Sequence, residues 1–78
     1  MKTEMRIKDF KYASERWLTY SKELRTELKK QFWNYLYACE MQVEEPGIYG
    51  ALTKREAHRF ERCYEYWAKI CELEKLYK

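Results

Sequence analysis

Between Thr3 and Val43 the chain has no Pro and no Gly, and its apolar residues recur in steps of three and four. Ile7, Phe10, Ala13, Trp17, Leu24, Leu28, Phe32, Tyr35, Cys39 and Val43 share an arc roughly 120° wide on a helical wheel, the stripe of a helix that faces a core. The pattern predicts one helix over about residues 4–43, roughly 55–60 Å long at the α-helical rise. A second arrangement breaks this segment near residues 14–21, at Ser14 or Ser21, and gives a three-helix bundle. No Gly, Pro or capping box marks that break, so the continuous helix is the expectation.

The turn is placed at residues 44–53. Pro46-Gly47 ends the first helix, because proline lacks an N–H and restricts the residue before it. Thr53-Lys54-Arg55-Glu56 then reads as a capping box, with Leu52 and Ala57 as its apolar staple. A second helix follows over about 54–77, with Ala57, Phe60, Cys63, Tyr64, Trp67, Ile70 and Cys71 as its stripe. The predicted fold is one all-α domain over residues 1–78, a long helical hairpin. In such a hairpin Phe10 and Trp17 project beyond the shorter helix, and a homodimer with four packed helices would cover them.

One segment carries more apolar surface than a hairpin hides. Phe32, Tyr35, Leu36 and Cys39 continue the main stripe, while Trp33, Tyr37 and Met41 form a second one at i, i+4, i+8. Large apolar patches are rare on monomers, and Trp and Tyr are typical anchors of protein interfaces. Trp33, Tyr37, Met41, Ile48 and Tyr49, together with Phe10 and Trp17, are therefore the candidate protein interface.

Composition sharpens this reading in places. Hydrophobic residues make up 46% and aromatics 18% of the 78 residues, too many for a disordered chain. A chain this short is marginal on its own core, which again favours a partner. The net charge of +3 demands no polyanion, but it is unevenly spread. Residues 31–53 hold no Lys or Arg, and helix two opens with Lys54, Arg55, His58, Arg59 and Arg62. Cations in a first turn oppose the helix dipole, so this cluster is a candidate nucleic-acid contact, with Glu61, Glu65 and Glu72 as an acidic stripe beside it.

The remaining chemistry is sparse. His58 is the single histidine and Asp9 the single aspartate, and no phosphate loop, zinc spacing or nucleophile–base arrangement occurs. The sequence predicts no enzyme, no cofactor, no metal and no small-molecule substrate. Cys39, Cys63 and Cys71 form an odd set without a CxxC pair, read as buried thiols of a reducing compartment. Residues 1–11 alternate charges without an apolar run, so no secretory leader or membrane span is expected and the location is read as cytoplasmic. The expected function is a small regulator or inhibitor that docks on a larger protein and also pairs with itself. A nucleic-acid-binding regulator and a purely structural homo-oligomer are the alternatives. Small chains rich in Lys, Glu and Tyr are common among phage and mobile-element regulators, a compositional association without a mechanism.

Overall fold

The computed structural model describes residues 5–77. Asp9 fixes the start of the first helix by accepting from the Arg6 backbone N–H at 2.9 Å. Helix α1 spans Ile7–Arg16 and runs into a 3₁₀ turn at Trp17–Thr19. Tyr20 (φ −82°, ψ 148°) and Ser21 (φ −67°, ψ 161°) are then extended, and the helix is broken. Two hydroxyls stabilise the break. Thr19 Oγ1 donates to the Arg16 carbonyl at 2.6 Å, and Ser21 Oγ accepts from the Leu24 N–H at 3.2 Å. Short hydroxyl side chains satisfy backbone groups that a helix end leaves open.

Helix α2 spans Lys22–Glu44 and the single-turn α3 spans Pro46–Tyr49. Pro46 stands in the first turn of α3, where its missing N–H costs nothing. Gly50 follows at φ 85°, a backbone conformation that side chains with a Cβ rarely adopt. Helix α4 spans Lys54–Glu74 and closes in a 3₁₀ turn at Lys75–Tyr77. Its capping box is formed: Thr53 Oγ1 accepts from the Glu56 N–H at 3.1 Å, and Glu56 Oε1 accepts from the Thr53 N–H at 2.9 Å.

The chain is all-α, with no strand among the described residues. The continuous helix over 4–43 is not formed; residue 4 itself lies outside the described residues. An unbroken helix of that length would measure about 60 Å, whereas the longest dimension of the molecule is 40 Å. The reason lies in burial. The break at Thr19–Ser21 lets α1 fold back along α4, with Phe10 reaching the side of α2. Phe10 then stacks on Phe32 with ring centroids 4.2 Å apart, and Tyr35 stands 6.0 Å from Phe10. Phe10, Trp17, Phe32, Leu36, Cys63 and Ile70 are all shielded from solvent, with Met5 and Ala13 beside them. Full burial of a side chain the size of Phe, Leu or Ile contributes roughly 1.5–3 kcal/mol. Extending α1 into solvent would forfeit several such terms, far more than the helical bonds lost at the break.

Phe10 and Trp17 are therefore core residues of the single chain, at 0% exposure, and not interface residues. The overhang that called for a four-helix dimer does not exist.

One carboxylate ties all three long helices together. Glu74 Oε1 accepts from Trp17 Nε1 at 2.8 Å and from the Arg25 guanidinium at 2.7 Å, while Oε2 accepts from Lys29 Nζ at 3.0 Å. Trp17 follows α1, Arg25 and Lys29 belong to α2, and Glu74 is the last residue of α4. Burial works to raise the Glu74 pKa, but the bonds from Lys29, Arg25 and Trp17 overcome it and hold the carboxyl down at about 2.

Candidate protein-interaction surface

Helices α2 and α4 each carry an apolar stripe wider than the core can absorb. On α2, Phe32, Leu36 and Cys39 point inward, while Trp33 and Tyr37 lie about 100° or more around the helix and are half exposed, at 49% and 53%. On α4, Cys63 and Ile70 form the buried edge of the stripe, and Tyr64 and Cys71 form an exposed edge roughly 100° away. Phe60 and Trp67 lie between and are half buried. With α1 on one side of α2 and α4, the outward edges of both stripes meet on the side away from Phe10.

The rings on that side touch. Trp33 and Tyr37 have centroids 6.4 Å apart, and Trp33 and Trp67 the same distance across the two helices. Trp67 also stands edge-on to the core ring of Phe32 at 6.3 Å, which anchors the outer rings to the interior. Further along α4, Phe60 and Tyr64 pack at 6.0 Å. The result is a ridge of Trp33, Tyr37 and Trp67 across two helices, with Phe60 and Tyr64 as a second ring pair one to two turns away on α4. Trp67 and Phe60 rest on the core, and Trp33, Tyr37 and Tyr64 are open. Pre-positioned Trp and Tyr lose little conformational entropy on binding and bury large areas.

The other expected interface residues separate into two places. Met41 is half buried on α2, one turn beyond Tyr37. Ile48 and Tyr49 sit on α3 at 72% and 52% exposure, where the Tyr49 carbonyl accepts from Gln42 Nε2 at 3.4 Å. They belong to the end of the bundle, and no ring contact joins them to Trp33 among the described residues.

The basic residues of α4 are engaged only in part. Lys54, Arg55 and His58 are exposed, while Arg59 and Arg62 are half buried. Arg62 pairs with Glu65 at 2.8 Å and lies over the Tyr66 ring at 5.7 Å, and Lys69 lies over the same ring at 5.5 Å. Glu65 thus binds Arg62 at i−3, and Lys69 at i+4 turns to the Tyr66 ring.

The interior thiols are built for packing. Burial pushes the Cys63 thiol up to about 12, with the nearby Cys39 adding to it, and so keeps it protonated. Burial, then Cys39, raises the Tyr35 phenol as well. Cys39 and Cys63 are buried, whereas Cys71 is exposed, a correction to its reading as a buried thiol. Among the described residues no group of three or more His, Cys, Asp or Glu could hold a metal ion, and no helix is long and apolar enough to cross a membrane.

The sequence pattern put Phe60, Tyr64 and Trp67 on one stripe with Cys63 and Ile70; Phe60 and Trp67 do pack against the core, whereas Tyr64 is exposed. The width of that stripe was the available signal. No protein-family model, no curated protein and no solved structure matches the chain.

Proposed function

We propose that this chain is a small protein-interaction module whose working surface is the aromatic ridge of Trp33, Tyr37, Trp67 and Tyr64. The observation that carries this reading is the contact of Trp33 with both Tyr37 and Trp67 on the side of the bundle that α1 leaves open. An exposed cluster of this type is costly in water, and it supplies the rigid aromatic anchors on which protein interfaces concentrate their energy. Its partner is a protein surface, because the centre of the ridge offers aromatic rings and the exposed charges beside them on α2 are of both signs, Lys30 on one side and Glu40 on the other. Pairing of Arg62 with Glu65 also weighs against the nucleic-acid reading of α4.

The test is site-specific photo-crosslinking in the native cell. A photoreactive phenylalanine replacing Tyr37 should give protein adducts. The same residue replacing Tyr12, which is equally exposed on α1, should not. Absence of adducts from position 37, or equal yields from both positions, would remove the ridge as the working surface.

A further inference from the structure

The aromatic ridge carries a charge order along α2 that bears on its occupant. Lys22, Lys30, Trp33, Tyr37, Glu40 and Glu44 all lie within about 60° of the Trp33 direction on the helical wheel. Lys22, Lys30, Glu40 and Glu44 are exposed, and none of these four takes part in an ion pair among the described residues, whereas Lys29, within the same arc, is half buried and held by Glu74. The stripe is basic toward the helix start, aromatic in the middle and acidic toward the helix end. That order opposes the helix dipole, which favours acids at the start and bases at the end. No basic residue stands in the last turn of α2. Lys22 in the first turn and Glu44 in the last act against the dipole, offset at the helix start by Glu23, so the order of charges along this face brings α2 no net stabilisation.

The order is self-complementary. Residue 35 is the midpoint between Trp33 and Tyr37, and also between Lys30 and Glu40. A two-fold axis lying in the contact plane, perpendicular to α2 at that level, brings Trp33 of one copy against Tyr37 of the other, and sets Lys30 at the level of Glu40 across the stripe, within reach of two long side chains, twice each. The same axis sets Glu44 at the level of Thr26, within the basic end. Isologous interfaces require such self-complementarity of one patch. We propose that the occupant of the ridge is a second copy of this chain, packed antiparallel across a two-fold axis at residue 35 of α2. This rests on the ridge being the working surface. The overhanging-helix dimer expected from sequence used Phe10 and Trp17; this one uses neither.

Sedimentation equilibrium on the purified chain, from micromolar to millimolar concentration, tests the proposal. The unmodified chain should pass from monomer to dimer. Lys30→Glu and Glu40→Lys should each weaken self-association by about tenfold, because each homodimer then faces two like-charge pairs. An equimolar mixture of the two variants should restore the original affinity as a heterodimer, since every juxtaposition is again opposite in sign. Circular dichroism should show both variants folded, as both positions are exposed. A chain that stays monomeric throughout overturns the proposal, and so does a dimer that the variants do not weaken or the mixture does not restore. The wider reading is checked separately with Trp33→Ala/Tyr37→Ala. If the unmodified chain is monomeric and this variant stays folded, the ridge still stands as a surface for a different protein. If the variant unfolds, the ridge is core and both readings fall.

Discussion

Replacing Glu74 with Gln tests the clasp that joins α1, α2 and α4. The substitution keeps the shape and one acceptor for Trp17 Nε1, and removes the charge facing Arg25 and Lys29. The carboxyl is held at about 2 against an ordinary 4.5, a difference equivalent to about 3 kcal/mol of preference for the ionised native form. The side chains of Glu74 and Lys29 are 24% and 41% exposed, and solvent screening there reduces the contribution to about 1–2 kcal/mol. For a domain of this size that is a fall in Tm of roughly 5–15 °C. Because the native pKa is depressed, the stabilisation is fully present above pH 4.5 and is lost as pH falls from 4.5 towards 2. Urea unfolding of both proteins across that range is the assay. It is run in the Trp33→Ala/Tyr37→Ala background, so that self-association does not shift the apparent stability. The difference between the two proteins should be constant from neutral pH to about 5 and close towards pH 2. A difference that is absent at neutral pH, or that persists unchanged to pH 2, refutes the account of Glu74 as a charge clasp.

Three further outcomes follow from the burial pattern. Phe10→Ala should cost about 3–5 kcal/mol and leave the chain largely unfolded by circular dichroism, while Trp33→Ala/Tyr37→Ala should cost no more than about 1 kcal/mol per site; similar losses in both would contradict the division into core and ridge. Under native conditions at low protein concentration, a maleimide should label Cys71 and spare Cys39 and Cys63 until denaturant is added, as mass spectrometry of digests will show. Titration with labelled duplex DNA at low salt should show no binding that salt abolishes, because Arg62 is engaged by Glu65 and Tyr66; strong salt-dependent binding lost in Arg55→Ala/Arg59→Ala would restore the nucleic-acid reading.

Legibility of the fold depended on whether its cause was local. The Thr53–Glu56 box could be read because both of its hydrogen bonds join residues three apart. The Ser21 cap could not, because Ser21 bonds only a backbone N–H and Leu24 stands where a box would need Glu or Gln. Periodicity also missed the break for a geometric reason. Trp17 and Leu24 are two helical turns apart, so the stripe keeps its phase across the non-helical residues between them. That one error moved Phe10 and Trp17 from the core to an imagined interface. Trp33 and Tyr37 were legible because one helix cannot bury two faces. The other half of the ridge, on α4, depended on which edge of a single stripe turns inward, and α1 decides that. Nothing local announces the bond between Trp17 and Glu74.

That bond has a consequence for how the protein is made. Its two ends are 57 residues apart in the chain, so a nascent polypeptide emerging from the ribosome holds α1 long before its anchor has been synthesised. Until Glu74 appears, Phe10 and Trp17 lack the α4 surface on which they rest, and the early product exposes apolar side chains that the finished molecule conceals. Emergence of α4 from the ribosome is then the step that ends this exposure. A pause within the codons for residues 54–74 would prolong it and should increase aggregation or chaperone capture of the unfinished chain.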